Sequence, residues 1–137
     1  GFALMEWSPD GSQLAYMTYG TPGKRVYLLN MNEPGAQPRL LKDHSNVYSL
    51  RFSPDSRYLL TQAYTASNFA EDTSILFDLQ SGTEIALIAH AAALAPDGRQ
   101  IALAGPGGLY IADLASGAAQ YWLSTEECEQ VQWFGMK

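Results

Sequence analysis

One short motif stands in this chain three times. It reads Trp7-Ser8-Pro9-Asp10-Gly11, then Phe52-Ser53-Pro54-Asp55-Ser56, then Leu94-Ala95-Pro96-Asp97-Gly98, at spacings of 45 and 42 residues. Each copy begins with a large apolar residue and is followed by an apolar stretch: Leu14-Ala15-Tyr16, Tyr58-Leu59-Leu60 and Ile101-Ala102-Leu103. The motif is turn chemistry. Proline presets φ at the second position, aspartate bonds the backbone just downstream, and glycine accepts positive φ. Self-similarity at this period is the mark of a repeat architecture, in which one unit cannot bury its apolar faces alone and stacking supplies the core.

Within each cycle the β-forming segments number four. In the first cycle they are Phe2 to Trp7, Gln13 to Tyr19, Arg25 to Met31 and Pro38 to Lys42. The second has Val47 to Phe52, Tyr58 to Tyr64, Ser74 to Leu79 and Thr83 to Ala89, with a longer insert, Thr65 to Thr73, read as a loop. The third has Ala91 to Leu94, Ile101 to Ala104, Leu109 to Leu114 and Ala119 to Leu123. Alanine is a poor strand former, so Ala91-Ala92-Ala93 is assigned to a strand by repeat register. Gln130 to Phe134 starts a fourth cycle, with Trp133 in the place of Trp7. Four short antiparallel strands per cycle match a propeller blade. The expected fold is all-β: a β-propeller segment of about three four-stranded antiparallel blades plus one extra strand. Its units are residues 1–44, 45–89 and 90–125, with the first strand of a further blade at 129–135.

Composition restricts the function classes. The 137 residues are 47% hydrophobic and 16% charged, as a globular chain requires. The net charge is −6 and the eight Lys and Arg residues are scattered, so a phosphate backbone finds no basic patch and nucleic acid is not an expected partner. No apolar run approaches the length of a membrane helix, and no membrane insertion is expected. The single cysteine, Cys128, lies among Glu126, Glu127 and Glu129, where neighbouring acids disfavour its thiolate.

Candidate chemistry is sparse. Asp10, Asp55 and Asp97 are read as caps of their own turns rather than as a metal ring, and Asp78 and Asp113 as turn acceptors beside Ser81-Gly82 and Ser116-Gly117. The most distinctive local feature is Asn68-Phe69-Ala70-Glu71-Asp72 in the insert. Asn68, Phe69, Glu71 and Asp72 form a candidate partner-contact loop or a weak cation site, set against a plain solvated loop; calcium-loop spacing is absent. Gly105-Pro106-Gly107-Gly108 lacks the Lys-Ser/Thr of a phosphate cradle, and His44 and His90 are isolated. No catalytic, cofactor or metal residue is expected. Trp7, Phe52, Leu94 and Trp133 share one repeat position and are expected in the core between blades. Ser56 replaces the glycine of the other two turns, which implies strain of roughly 1 kcal/mol or more if the site needs positive φ.

The aromatic-Ser-Pro-Asp-Gly turn, the Leu-Ala-Tyr strand and the Leu-Tyr-Ile-Ala-Asp-Leu strand closed by Ser-Gly resemble the WD40-like PD40 repeat of TolB-type propellers. Departures are the missing Trp-Asp dipeptide and Asn30-Met31-Asn32 in place of Asp-Leu-x-Ser-Gly. The resemblance implies a non-catalytic scaffold or binding module for a protein or peptide partner, extracytoplasmic or periplasmic if TolB-like. Similar repeats form the gating propellers of prolyl-oligopeptidase-type (S9) serine peptidases, the alternative reading. Propellers have about 4–8 blades, so three blades imply a piece of a larger ring or a homo-oligomer that completes one.

Overall fold

The computed structural model describes residues 2–19, 24–44, 47–65, 68–87, 91–105, 108–116 and 119–123. They form three four-stranded sheets, each built from four consecutive strands in sequence order. Blade 1 contains β1 (Phe2–Trp7), β2 (Gln13–Thr18), β3 (Lys24–Asn30) and β4 (Arg39–His44). Blade 2 contains β5 (Val47–Phe52), β6 (Tyr58–Thr65), β7 (Asn68–Asp78) and β8 (Thr83–Leu87). Blade 3 contains β9 (Ala91–Leu94), β10 (Gln100–Gly105), β11 (Gly108–Asp113) and β12 (Ala119–Leu123). Every neighbouring pair is antiparallel, and no helix occurs among the described residues.

Successive side chains of a strand point to opposite faces, so each sheet can offer one apolar face to each neighbour. Ala15, Met17, Val26 and Leu28 of blade 1 share a buried cluster with Val47, Leu50, Leu59 and Phe77 of blade 2. Leu60 and Leu76 leave blade 2 on its opposite face and join Ile101 and Leu114 of blade 3. A fully buried leucine such as Leu59 contributes about 1.5–3 kcal/mol relative to exposure. Sandwiched sheets of this kind account for strands that are apolar on both faces. The outer strand β8 is exposed along Thr83 to Ala86 and carries Glu84, as suits an edge strand.

Two sequence expectations need comment. The loop assigned to Thr65 to Thr73 is largely strand: β7 runs for 11 residues and pairs with β6 from Tyr58↔Asp78 to Thr65↔Asn68. Composition misleads there because β6 supplies the backbone partners. The expected first strand of a further blade, 129–135, lies outside the described residues, as do Cys128, the Glu126 to Glu129 stretch and His90.

Candidate functional site

The recurring motif builds three equivalent tight turns at one end of the blades. In the first, Gly11 N–H donates to the Ser8 carbonyl at 2.9 Å and Ser8 N–H to the Gln13 carbonyl at 2.9 Å. The second repeats this with Ser56 to Ser53 and Ser53 to Tyr58, and the third with Gly98 to Ala95 and Ala95 to Gln100. The fourth turn residue has positive φ each time: Gly11 74°, Ser56 63°, Gly98 72°.

Side chains then lock the turns. The Ser8 hydroxyl accepts from Gln13 N–H at 2.9 Å and donates to Asp10 at 2.7 Å. Asp10 also accepts from the Ser12 backbone N–H and hydroxyl. These bonds, with the Ser12 hydroxyl foremost, lower its pKa to about 2. Ser53 does the same work in the second turn, bonding Asp55 at 2.6 Å and accepting from Tyr58 N–H at 2.9 Å. Asp97 caps the third turn through Arg99 N–H at 2.8 Å. All three motif carboxylates are thus occupied as turn acceptors. Among the described residues no group of three or more His, Cys, Asp or Glu side chains could hold a metal.

A second set of acids closes the turns after β7 and β11. Asp78 accepts from Gln80 and Ser81 N–H and takes a two-pronged ion pair from Arg57, with Nη2 to Oδ2 at 3.1 Å. Arg57 is the main cause that lowers the Asp78 pKa to about 2. Asp113 accepts from Ala115 and Ser116, and these bonds lower its pKa as well. Blade 1 substitutes a neutral version: Ser12 and Asn30 occupy the register positions of Arg57 and Asp78, and Asn30 accepts from Asn32 N–H at 3.0 Å.

Two features are left as contact surfaces. A shallow cleft of about 250 Å³ lies between blades 1 and 2, lined by Arg39, Leu40 and Leu41 of β4 and by Phe77 to Leu79 and Gly82 to Glu84. Lys42 and Glu84 bridge the same two outer strands at 2.9 Å. The other feature is the far end of the β6–β7 hairpin. The β6–β7 pairing runs on to Ala63↔Thr73 and Thr65↔Asn68. β7 also carries more residues than β6 between Ala63↔Thr73 and Thr65↔Asn68, an irregularity that spans Phe69 to Asp72. The expected contact residues Asn68, Phe69, Glu71 and Asp72 lie on strand β7 and not on a loop. Sequence reasoning missed the cleft; its lining comes from two blades and has no local signal.

The chain matches no protein-family model and no curated protein. Its fold is shared with solved structures. The β-propeller domain of the Trilobed protease from Pyrococcus furiosus matches at 17% identity and a TM-score of 0.69, over 91% of this chain and 43% of that one. Pyrococcus horikoshii acylaminoacyl peptidase matches at 13% identity and 0.62, over 93% and 26%. Kuenenia stuttgartiensis hydrazine synthase matches at 16% identity and 0.55, over 83% and 40%. The chain thus spans about two fifths of the first chain and a quarter of the second. At these identities the likeness concerns fold, and the fold is that of a β-propeller.

Proposed function

We propose that this chain is part of a TolB-like, PD40-repeat propeller that serves as a non-catalytic binding module, and that its β6–β7 hairpin contacts a protein or peptide partner. The observation that carries this reading is the irregularity of β7, where Phe69 to Asp72 stand between the pairs Ala63↔Thr73 and Thr65↔Asn68. An irregularity of this length interrupts the ladder and costs backbone order. It falls in the stretch Asn68 to Asp72, which combines an amide, an aromatic ring and two acids in sequence on a strand of the propeller scaffold. The acids there favour a basic or neutral peptide over an acidic one. Photo-crosslinking from position 68 in the source cells tests it. A discrete adduct that Glu71→Lys and Asp72→Lys together abolish supports the module, whereas reproducible peptide hydrolysis by the purified chain overturns its non-catalytic character.

The second reading is the gating propeller of a serine peptidase. It is favoured by the protease and peptidase among the structural neighbours. A serine-hydrolase domain encoded in the same reading frame decides for it.

A further inference from the structure

The cleft between blades 1 and 2 is walled by two strands that each end a sheet. β4 pairs only with β3 and β8 only with β7, so among the described sheets both keep one backbone edge open. Register sorts the side chains that enter the cleft. Arg39 stands opposite Leu28, which is buried toward blade 2, and Glu84 stands opposite Phe77, which is buried toward blade 1. Leu41 falls at the break in register between Val26 and Tyr27 and packs on the same cluster, as does Leu79. The cleft therefore has an apolar floor of Leu41, Phe77 and Leu79 under a charged rim.

The charges on the rim are unevenly used. Glu84 is bridged to Lys42 at 2.9 Å, and Asp78 is held by Arg57 at 3.1 Å. Arg39 is exposed, and among the described residues its side chain has no hydrogen bond or ion pair. A chain of net charge −6 thus keeps a cation here without a counter-ion. A guanidinium presents a planar fork of donors that fits a carboxylate. At about 250 Å³ the cleft falls below the roughly 300–1,000 Å³ of sites for drug-sized ligands, which leaves room for an apolar side chain and little more.

The geometry points to a binding site for the carboxyl end of an extended peptide. The last side chain, aliphatic, lies on Leu41, Phe77 and Leu79, and its carboxylate pairs with Arg39. The backbone behind it runs beside the open edge of β8, which is exposed from Thr83 to Ala86 and offers amide and carbonyl partners that a peptide satisfies in series. A small apolar acid would leave that edge unused, so the edge favours a peptide. The site shares no residue with Asn68 to Asp72 and does not rest on the role proposed for them.

The test is fluorescence anisotropy with the whole chain and N-terminally labelled peptides. Val-Thr-Val-Leu with a free carboxylate is compared with its carboxamide and with Val-Thr-Val-Gly. An exposed Arg–carboxylate pair is a modest contact, so the acid is expected to bind about fivefold tighter than the amide. Arg39→Gln, at an exposed position, should abolish that preference and leave amide binding unchanged, and raised salt should shrink it. The glycine-ended peptide, with no side chain for the floor, should bind about tenfold more weakly than the leucine-ended acid. Equal binding of acid and amide overturns the inference, as does a preference that survives Arg39→Gln or an absence of saturable binding below about 1 mM. N-acetyl-leucine that displaces the peptide at equal concentration makes a small apolar acid the occupant and also overturns it. Glu71→Lys with Asp72→Lys should leave this binding intact. Loss in that variant assigns the peptide to β7 and overturns the site in the cleft, so the two readings fail separately.

Discussion

The Ser53 turn and the Ala95 turn have one backbone and two wirings. Both close with the same pair of backbone bonds, and both put the fourth residue at positive φ. In the first, the buried Ser53 hydroxyl accepts from Tyr58 N–H and donates to Asp55. In the second, Ala95 is equally buried, at 0% exposure, and has no hydroxyl to offer Gln100 or Asp97. The side-chain bonds are therefore not what forces the turn. Proline, aspartate and a tolerated positive φ suffice to form it, and serine stabilises it further.

The largest expected effect is that of Ser53→Ala. It strands the Tyr58 N–H and leaves Asp55 with fewer donors, so unfolding free energy falls by about 1–3 kcal/mol. Urea midpoints measure this, and a loss within error would show that the wiring is redundant. The reciprocal change, Ala95→Ser, installs the missing hydroxyl in the geometry the other two turns already use. It is expected to stabilise by about 0.5–1.5 kcal/mol. A neutral or unfavourable result would mean that blade 3 has no room for the oxygen, and that the two turns differ in packing as well as in bonding.

The repeat was legible because turn residues and apolar alternation recur at a fixed period, and each is a local property. What escaped was set by partners far along the chain. Asn68, Ala70, Glu71 and Asp72 are weak strand formers, and the β6 pairs on either side of them, Thr65↔Asn68 and Ala63↔Thr73, are not local in sequence pattern. Trp7 shares a repeat position with Phe52 and Leu94, which predicts core, yet Trp7 is 54% exposed while Phe52 and Leu94 pack against the clusters between blades. The candidate site follows the same division. Its four residues were identifiable as an unusual stretch, whereas their placement at an irregularity of β7 depends on the register with β6.

Charge separates the same regions under acid. Asp78 and Asp10 both lie near 2 against an ordinary 3.8, the first mainly through Arg57 and the second mainly through the Ser12 hydroxyl. A depressed carboxylate adds stability above its ordinary pKa and loses it as pH falls towards the folded value. Stability should therefore decline from about pH 4 down to about pH 2, beyond what general charge repulsion produces. Arg57→Gln should shallow that decline, since it removes the main cause at Asp78. Arg57 is 41% exposed, so salt should shallow it too. Melting temperatures across this range, with and without 1 M salt, check both points.

The smallest effect is expected at Ser56, where sequence suggested only strain. Its φ of 63° does place a β-carbon in the left-handed region, at roughly 1 kcal/mol. Its hydroxyl, however, accepts the Asp10 N–H at 3.2 Å, which ties the second turn to the first across the blade boundary. One boundary further on, Gly98 holds the same place, and a β-carbon there would stand 3.5 Å from Asp55. Glycine at 56 thus removes strain and a link of about equal size. Ser56→Gly is expected to shift the unfolding midpoint little, within about 0.5 kcal/mol. It should nevertheless speed amide exchange at Asp10, whose N–H loses its acceptor. Gly98→Ala supplies the control, because it adds the strain at the equivalent turn without adding a hydroxyl. If it destabilises while Ser56→Gly is neutral, the hydroxyl link offsets the strain at Ser56; if both are neutral, the left-handed turn costs serine nothing here.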